Sequence, residues 1–328
     1  MIITDCTIRD GGHTNNWEFS DELVRKTYHA ATQAGVDFFE LGYISNKLDR
    51  GFYGKMKLNG NHGLEDIETQ KCKIIGMIDC DRNTEIDWTK AENSQFKYIR
   101  LATYSHNIDI ALNLIPGLIL RGYKVFLSLM GFCRFQNSDL KYLSRLTQDF
   151  KDSIEAITFA DSFGSMLPEE VLYCYLKLRD LGFSRVNFHA HNNTQLAFAN
   201  VLKLLKTESP YGIDASVYGM GRGGGNLPIE LLIRHLRREG INKYWDVPYL
   251  KLINSHFYRM KEDFYWGYNT NTLEAGIAGV HPYYADYLDD NNVDEIWREE
   301  ILFRVQKELP VNYDEDKISE LIKDVPRV

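Results

Sequence analysis

No apolar run in this chain approaches the roughly 20 residues a membrane span requires, so no segment is expected to cross a membrane. Cysteine is sparse. Cys6, Cys72, Cys80, Cys133 and Cys174 are odd in number and form no CxxC pair, which argues against a disulfide framework and a structural zinc site. Positive charge is also lacking: the net charge of −8 excludes the Lys/Arg-rich face that binds nucleic-acid phosphates, and no nucleic-acid partner is expected. The first residues, Met1-Ile2-Ile3-Thr4-Asp5, read as a strand rather than a basic-then-apolar export signal, so a cytoplasmic location is expected. Internal repeats and low-complexity tracts are absent.

What is present is the composition of a globular protein, 44% hydrophobic and 26% charged over 328 residues. That length suffices for one barrel of about 250 residues with a C-terminal remainder. Short β-rich apolar runs at 2–4, 38–41, 74–78, 98–102, 125–129, 156–159, 186–189 and 215–218 alternate with helical periodicity at 21–34, 107–120, 140–150, 169–181 and 195–205. Eight such units predict an α/β fold, a (β/α)8 TIM barrel over residues 1–243. Beyond Tyr244 the alternation stops, and helical segments including 293–308 and 317–323 predict a small C-terminal helical domain over 244–328. The segment 44–71, holding Phe52, Tyr53 and several glycines, is long enough to be a lid or binding loop.

In such a barrel, side chains at the C-terminal ends of the strands converge on one mouth. The first strand end carries Asp5-Cys6-Thr7-Ile8-Arg9-Asp10-Gly11-Gly12-His13, the seventh His189-Ala190-His191-Asn192-Asn193, and the eighth Gly219-Met220-Gly221-Arg222-Gly223-Gly224-Gly225-Asn226. His189 and His191, two apart on a strand, project from one side and can share an ion, with Asp10 the best placed carboxylate to complete a facial set. Taken alone, the His-x-His pair also fits an ordinary polar strand end. The glycine-rich run lacks the Gly-Lys-Ser/Thr ending of a P-loop and fits a tight turn, which brings Asn226 to the mouth. Asp5 reads as a turn-capping residue without a catalytic role.

Together these elements resemble the DRE-TIM metallolyase superfamily, which includes hydroxymethylglutaryl-CoA lyase, isopropylmalate synthase and the 4-hydroxy-2-oxovalerate aldolases. Its Asp-x-Thr-Leu-Arg-Asp-Gly motif is matched by Asp5-Cys6-Thr7-Ile8-Arg9-Asp10-Gly11, and its second-strand glutamate by Glu40 in Phe39-Glu40-Leu41-Gly42. The His-x-His-Asn and Gly-x-Gly-Arg-Gly-x-Gly-Asn elements follow in order, and Ala160-Asp161-Ser162-Phe163-Gly164 is similar to the sixth strand end. His13 after Gly11-Gly12 favours the aldolase branch over the acetyl-CoA-dependent synthases, which usually continue Asp-Gly-Glu-Gln. Ala275-Gly276-Ile277-Ala278-Gly279-Val280 resembles the aldolases' C-terminal region, but His281 stands where they place a tyrosine.

The resemblance implies a divalent-metal-dependent aldolase that cleaves or forms a 4-hydroxy-2-oxo acid, with pyruvate or a related 2-oxo acid and an aldehyde as its small-molecule partners. Asp10, His189 and His191 would hold Mn2+ or Mg2+, with Zn2+ or Co2+ as alternatives. Arg9, steadied by Glu40, would face the enolate oxygen; His13 would be the acid–base group, its imidazole titrating near working pH. Ser162 and Asn226 are candidate substrate-binding residues, and His281 a candidate for proton transfer. Ser162 fits a turn residue equally well, and His13 an exposed loop histidine. A homo-oligomer is expected, with an aldehyde-processing partner enzyme able to dock on the C-terminal domain. The alternatives are a Claisen-type condensing synthase using an acyl-CoA and a 2-oxo acid, and a partner-docking barrel without catalysis.

Overall fold

The computed structural model describes residues 1–45, 50–58, 60, 63, 64, 71–80, 86, 88–309 and 312–323. Eight strands, β1 (Ile2–Asp5), β2 (Phe38–Tyr43), β3 (Lys73–Asp79), β4 (Tyr98–Thr103), β5 (Lys124–Leu129), β6 (Ile154–Asp161), β7 (Val186–Ala190) and β8 (Gly212–Ala215), pair in parallel in sequence order. β8 returns to β1, with Ile2 opposite Gly212 and Asp5 opposite Ala215, so the barrel closes.

Seven strands cover the expected runs. The eighth lies earlier than the expected 215–218, because registry with β1 and β7 begins at Gly212, while Val217–Gly219 forms a 3-10 turn with Tyr218 at φ 55°. The β-branched and aromatic run there belongs to the loop that follows the strand.

A second difference lies at the first strand end. Helix α1 (Thr7–Asn15) begins directly after β1, because the Asp5 carboxylate accepts from the Thr7 backbone N–H at 2.9 Å and turns the chain into a helix. Gly11 and Gly12 are required by close packing. A Cβ on Gly11 would lie 2.9 Å from the Met220 side chain, and one on Gly12 would lie 2.1 Å from the Trp17 ring.

The remaining barrel helices are α2 (Asp21–Ala34), α3 (Ile108–Leu120), α4 (Asn137–Phe150), α5 (Pro168–Asp180), α6 (Ala197–Thr207) and α7 (Ile229–Arg238). After them come α8 (Val247–Leu252), α9 (Tyr258–Asp263), α10 (Thr270–Ala278), α11 (Pro282–Asp290), α12 (Glu295–Glu308) and α13 (Glu315–Leu321). The barrel's apolar core takes in Tyr244, Tyr249, Phe257 and Trp266, whereas a second core starts at Ala275 and includes Tyr284, Leu288, Ile301 and Ile318. Among the described residues no helix is long and apolar enough to cross a membrane. The segment 44–71 lies partly outside the described residues; its described part carries the 3-10 turn Phe52–Gly54, with the Tyr53 hydroxyl donating to Asp21 at 2.8 Å.

The interior is layered. Phe38, Ile75, Phe126 and Ala156 close the N-terminal end, with Phe38 and Phe126 edge to face at 5.2 Å. Because side chains alternate along a strand, residues two further on also point inward. Glu40, Arg100, Ser128, Thr158, His189 and Asp214 follow, all buried. Barrel interiors ordinarily hold branched apolar side chains, and buried charges must be paired to be tolerated. A polar second layer therefore serves something above it.

Candidate active site

The focal atom of the barrel mouth is Asp10 Oδ2. His189 Nε2 lies 3.3 Å from it and His191 Nε2 3.9 Å, and Asn226 Nδ2 donates to it at 2.6 Å. Asp10 owes its place to α1, on which it follows Arg9. The two histidines leave the end of β7 on one side, their ring centroids 4.9 Å apart. Asn226 is brought in by an isolated bridge that pairs it with His191. Asp10, His189 and Cys6 offer donor atoms within 4.8 Å of one another, although the Cys6 thiol also donates to the Ala215 carbonyl at 3.2 Å.

Beneath this cluster runs a chain of buried ion pairs. Arg9 Nε donates to Glu40 Oε2 at 2.7 Å, and Arg9 Nη1 lies 3.1 Å from Asp10. Glu40 Oε1 lies 2.9 Å from Arg100 Nη1, which also donates to Asp214 Oδ2 at 2.5 Å, and Asp214 Oδ2 is 3.3 Å from His189 Nδ1. A register shift between Glu40 and Gly42 interrupts the pairing of β2 with β3 beside this glutamate, and the pairing resumes at Gly42. Sequence reasoning missed Arg100 and Asp214. Their signal was available: each is a charge inside an apolar strand, in Tyr98-Ile99-Arg100-Leu101-Ala102 and in Gly212-Ile213-Asp214-Ala215.

Burial alone would raise the Asp10 carboxyl, but the Arg9 guanidinium and the two imidazoles hold it well below the usual range. Asp214 is lowered too, its burial outweighed by Arg100 and His189. Burial pushes His191 down to about 3, so it is a neutral imidazole with a lone pair to give. His189 moves up, since its contacts with Asp10 and Asp214 outweigh its burial.

His13 sits on α1, one turn beyond Arg9, rather than on a loop. Its ring packs edge-on to Trp17 at 4.6 Å, and its Nε2 is 3.5 Å from the Tyr43 hydroxyl. Contrary to an imidazole titrating near working pH, burial and the Arg222, Arg9 and Arg50 guanidinia outweigh Asp10 and hold it well below the usual histidine value.

Ser162 Oγ accepts from the Gly131 backbone N–H at 2.9 Å, tying the β5 and β6 ends together. Asn226 divides its amide between Asp10 and the Met220 carbonyl, 3.1 Å away. His281 caps α11, its Nδ1 accepting from the Tyr283 N–H at 3.2 Å. It reaches the mouth through its neighbour: a Cβ on Gly223 would lie 2.9 Å from Pro282. The glycine run is a tight turn, with the Gly224 N–H donating to Asn193 Oδ1 at 2.7 Å and the Gly225 N–H to the Arg222 carbonyl at 3.1 Å. Asp5 holds Thr7 and accepts from the Tyr249 hydroxyl at 2.8 Å, and so anchors the cluster from below.

The donor set suits a divalent cation. One ionised carboxylate and two imidazoles form a mixed O/N site, and Asn226 Oδ1 is buried without a hydrogen-bond partner among the described residues. Asp214 stands at His189 Nδ1, the place from which a carboxylate can orient an imidazole toward an ion.

The chain matches the HMGL-like family over residues 83–255, more than half of its length. That span holds His189, His191 and Asn226 but begins after Arg9, Asp10 and Glu40, which the fold brings to them. It is 26% identical to a 4-hydroxy-2-oxovalerate aldolase of Geobacillus genomosp. 3, over 85% of this chain and 83% of the relative. Its identity to an oxaloacetate decarboxylase of Mycobacterium tuberculosis is 23%, over 73% and 70%. Among solved structures, an N-terminal domain from Bacteroides vulgatus superposes with a TM-score of 0.76 at 27% identity, over 88% of this chain and 96% of that one. The HMG-CoA lyase of Bacillus subtilis shares the fold with a TM-score of 0.61 at 14% identity, over 83% and 96%. A closed parallel barrel, a carboxylate–imidazole cluster at its mouth and the extent of this match make the chain a member of the HMGL-like family.

Proposed function

We propose that the protein is a divalent-metal-dependent aldolase that cleaves or forms a 4-hydroxy-2-oxo acid, with pyruvate or a related 2-oxo acid as one fragment and an aldehyde as the other. The observation that carries this reading is the convergence of His189, His191 and Asn226 on Asp10, directly beside the Arg9–Glu40 pair. The names of the relatives at 26% identity support it.

In this reading Asp10, His189 and His191 hold the ion, Mn2+ or Mg2+ before Zn2+ or Co2+. When bound, it supplies Lewis-acid polarisation of the 2-oxo group. Arg9, fixed on two sides by Glu40 and Asp10, presents an oriented positive charge to the oxygen on which negative charge develops as the C3–C4 bond breaks. His13, neutral and beside Tyr43, takes the proton from the C4 hydroxyl in cleavage and returns it in condensation. Ser162, whose Oγ accepts from the Gly131 N–H, borders the site on the β5–β6 side, and its hydroxyl is free to donate to the substrate carboxylate in this reading.

The test is metal analysis of the purified protein followed by a screen for pyruvate release from 4-hydroxy-2-oxo acids of varied chain length. H191A should lose both metal and activity while keeping its fold by circular dichroism. Full metal occupancy in that variant sinks the ligand assignment, and release of free thiol from acetyl-CoA with 2-oxo acids, without any aldol cleavage, replaces the aldolase with a condensing synthase.

A further inference from the structure

Arg222 is the one charged side chain in the loop 219–225, and the loop is built to hold it still. Gly223, at φ 61°, has Pro282 and Asn193 within 3.0 Å of where a Cβ would be, and its carbonyl accepts from the Gly267 N–H at 3.0 Å. A Cβ on Gly221 would lie 2.4 Å from Asn226 Nδ2, so the loop is pressed against the cluster itself. Arg222 is only partly exposed, its Nε is buried without a hydrogen-bond partner, and no carboxylate pairs with it among the described residues. Arg9 and Arg100, by contrast, are both matched by buried acids. A guanidinium held by a stiff loop at a catalytic mouth, with a buried donor unspent, is a recognition element for an anion. Its position says which fragment carries that anion: Met220, two residues before Arg222, packs against Gly11 on α1, two residues before His13, so the loop borders the part of α1 that carries the proposed acid–base group. It therefore stands on the side of the site that handles the aldehyde oxygen.

We propose that Arg222 binds an anionic group, a carboxylate or a phosphate, on the aldehyde fragment, so that the enzyme's acceptor is a charged aldehyde rather than a simple alkanal. This rests on the aldolase reading. In the condensation direction the pyruvate methyl loses a proton, its carbon bonds to the aldehyde carbon, and the aldehyde oxygen gains a proton; the anion remains unchanged on Arg222 throughout.

The experiment compares kcat/KM for pairs with the same carbon chain, with pyruvate and added Mn2+: succinic semialdehyde against butanal for a carboxylate, and glyceraldehyde 3-phosphate against glyceraldehyde for a phosphate. The wild type should favour the charged member of one pair by about 10–100-fold, the scale of one charge-assisted hydrogen bond. In R222M that ratio should fall toward one, chiefly through the aldehyde KM, and R222K should restore part of it. Equal use of charged and neutral aldehydes by the wild type overturns the inference. So does an R222M variant whose pyruvate KM, measured by exchange of the methyl protons with deuterated water, rises as much as its aldehyde KM, because Arg222 then holds the donor's carboxylate. Absence of pyruvate exchange in the wild type defeats the aldolase reading itself and this inference with it.

Discussion

Asp214 joins Arg100 to His189: one carboxylate oxygen is 2.5 Å from the Arg100 guanidinium and 3.3 Å from His189 Nδ1. The imidazole is thereby turned so that its Nε2 faces Asp10. D214N should keep the side-chain shape but lose the charge that orients and enriches the ring. Metal affinity should fall about 10–100-fold, as for other partners of metal-binding histidines. Titration of the metal-free variant with Mn2+ checks this, and an unchanged affinity would remove Asp214 from the metal site.

Arg9 bridges Glu40 and Asp10 through two different nitrogens, a fork that an ammonium cannot copy. R9K should therefore lose about 10²–10³ in kcat despite keeping its charge. The KM for the 2-oxo acid should change far less. Near-normal turnover in R9K would make Arg9 a structural residue only.

In the proposed reaction His13 serves only one of two half-reactions. H13A should lose aldol cleavage by about 10²–10⁴-fold, yet still exchange pyruvate methyl protons with deuterated water, since exchange does not involve the C4 hydroxyl. Because burial and three guanidinia hold this imidazole well below its usual value, it stays in its basic form as pH falls through the ordinary histidine range. The acid limb of wild-type kcat/KM should accordingly lie below the ordinary histidine range. A limb centred in the ordinary range, and lost in H13A, would show that the imidazole is far less perturbed than its surroundings imply.

Glu230 offers a pH test away from the chemistry. Its carboxylate accepts from the Tyr218 N–H at 3.1 Å, and burial pushes its pKa up to about 7, helped by Asp5 and Asp246. A carboxyl whose pKa is higher in the folded than in the unfolded chain contributes stability while protonated and loses it as pH rises from the unfolded value through about 7. E230Q keeps an acceptor for Tyr218 but cannot ionise. It should match the wild type near pH 4.5 and exceed it by about 3 kcal/mol at pH 8. Denaturant unfolding at the two pH values measures the difference; parallel pH profiles would show that Glu230 ionises normally.

Much of this site was legible in the sequence because strand periodicity is local. Eight apolar runs separated by helical segments called for a barrel, and a barrel gathers its strand ends, so Asp10, His189 and His191 could be picked out before any contact was known, while Glu40 came from the family resemblance. That both histidines face one side followed from the alternation of side chains at the end of β7, but reading them as ligands also needed the cluster at the first strand end. Residue types around turns were harder to place: the run at 215–218 has strand composition, yet Tyr218 sits in a left-handed turn, because the register of β8 against β1 and β7 is set at Gly212.

What the tertiary structure alone decided is which inward residues meet. Arg100 and Asp214 are 114 positions apart, and Asn226 and Asp10 are 216 apart. No local pattern encodes those pairs, since they follow from closing β8 onto β1 and from the register of each strand against the next. The same closure turned Asn226 into a partner of Asp10, and the capping of α11 drew the ring of His281 into a structural contact. Side-chain identity at a strand end thus told which groups are available for chemistry. The shape of the closed barrel told which of them share a charge, a proton or an ion, because those interactions depend on distances of a few ångströms that only packing sets.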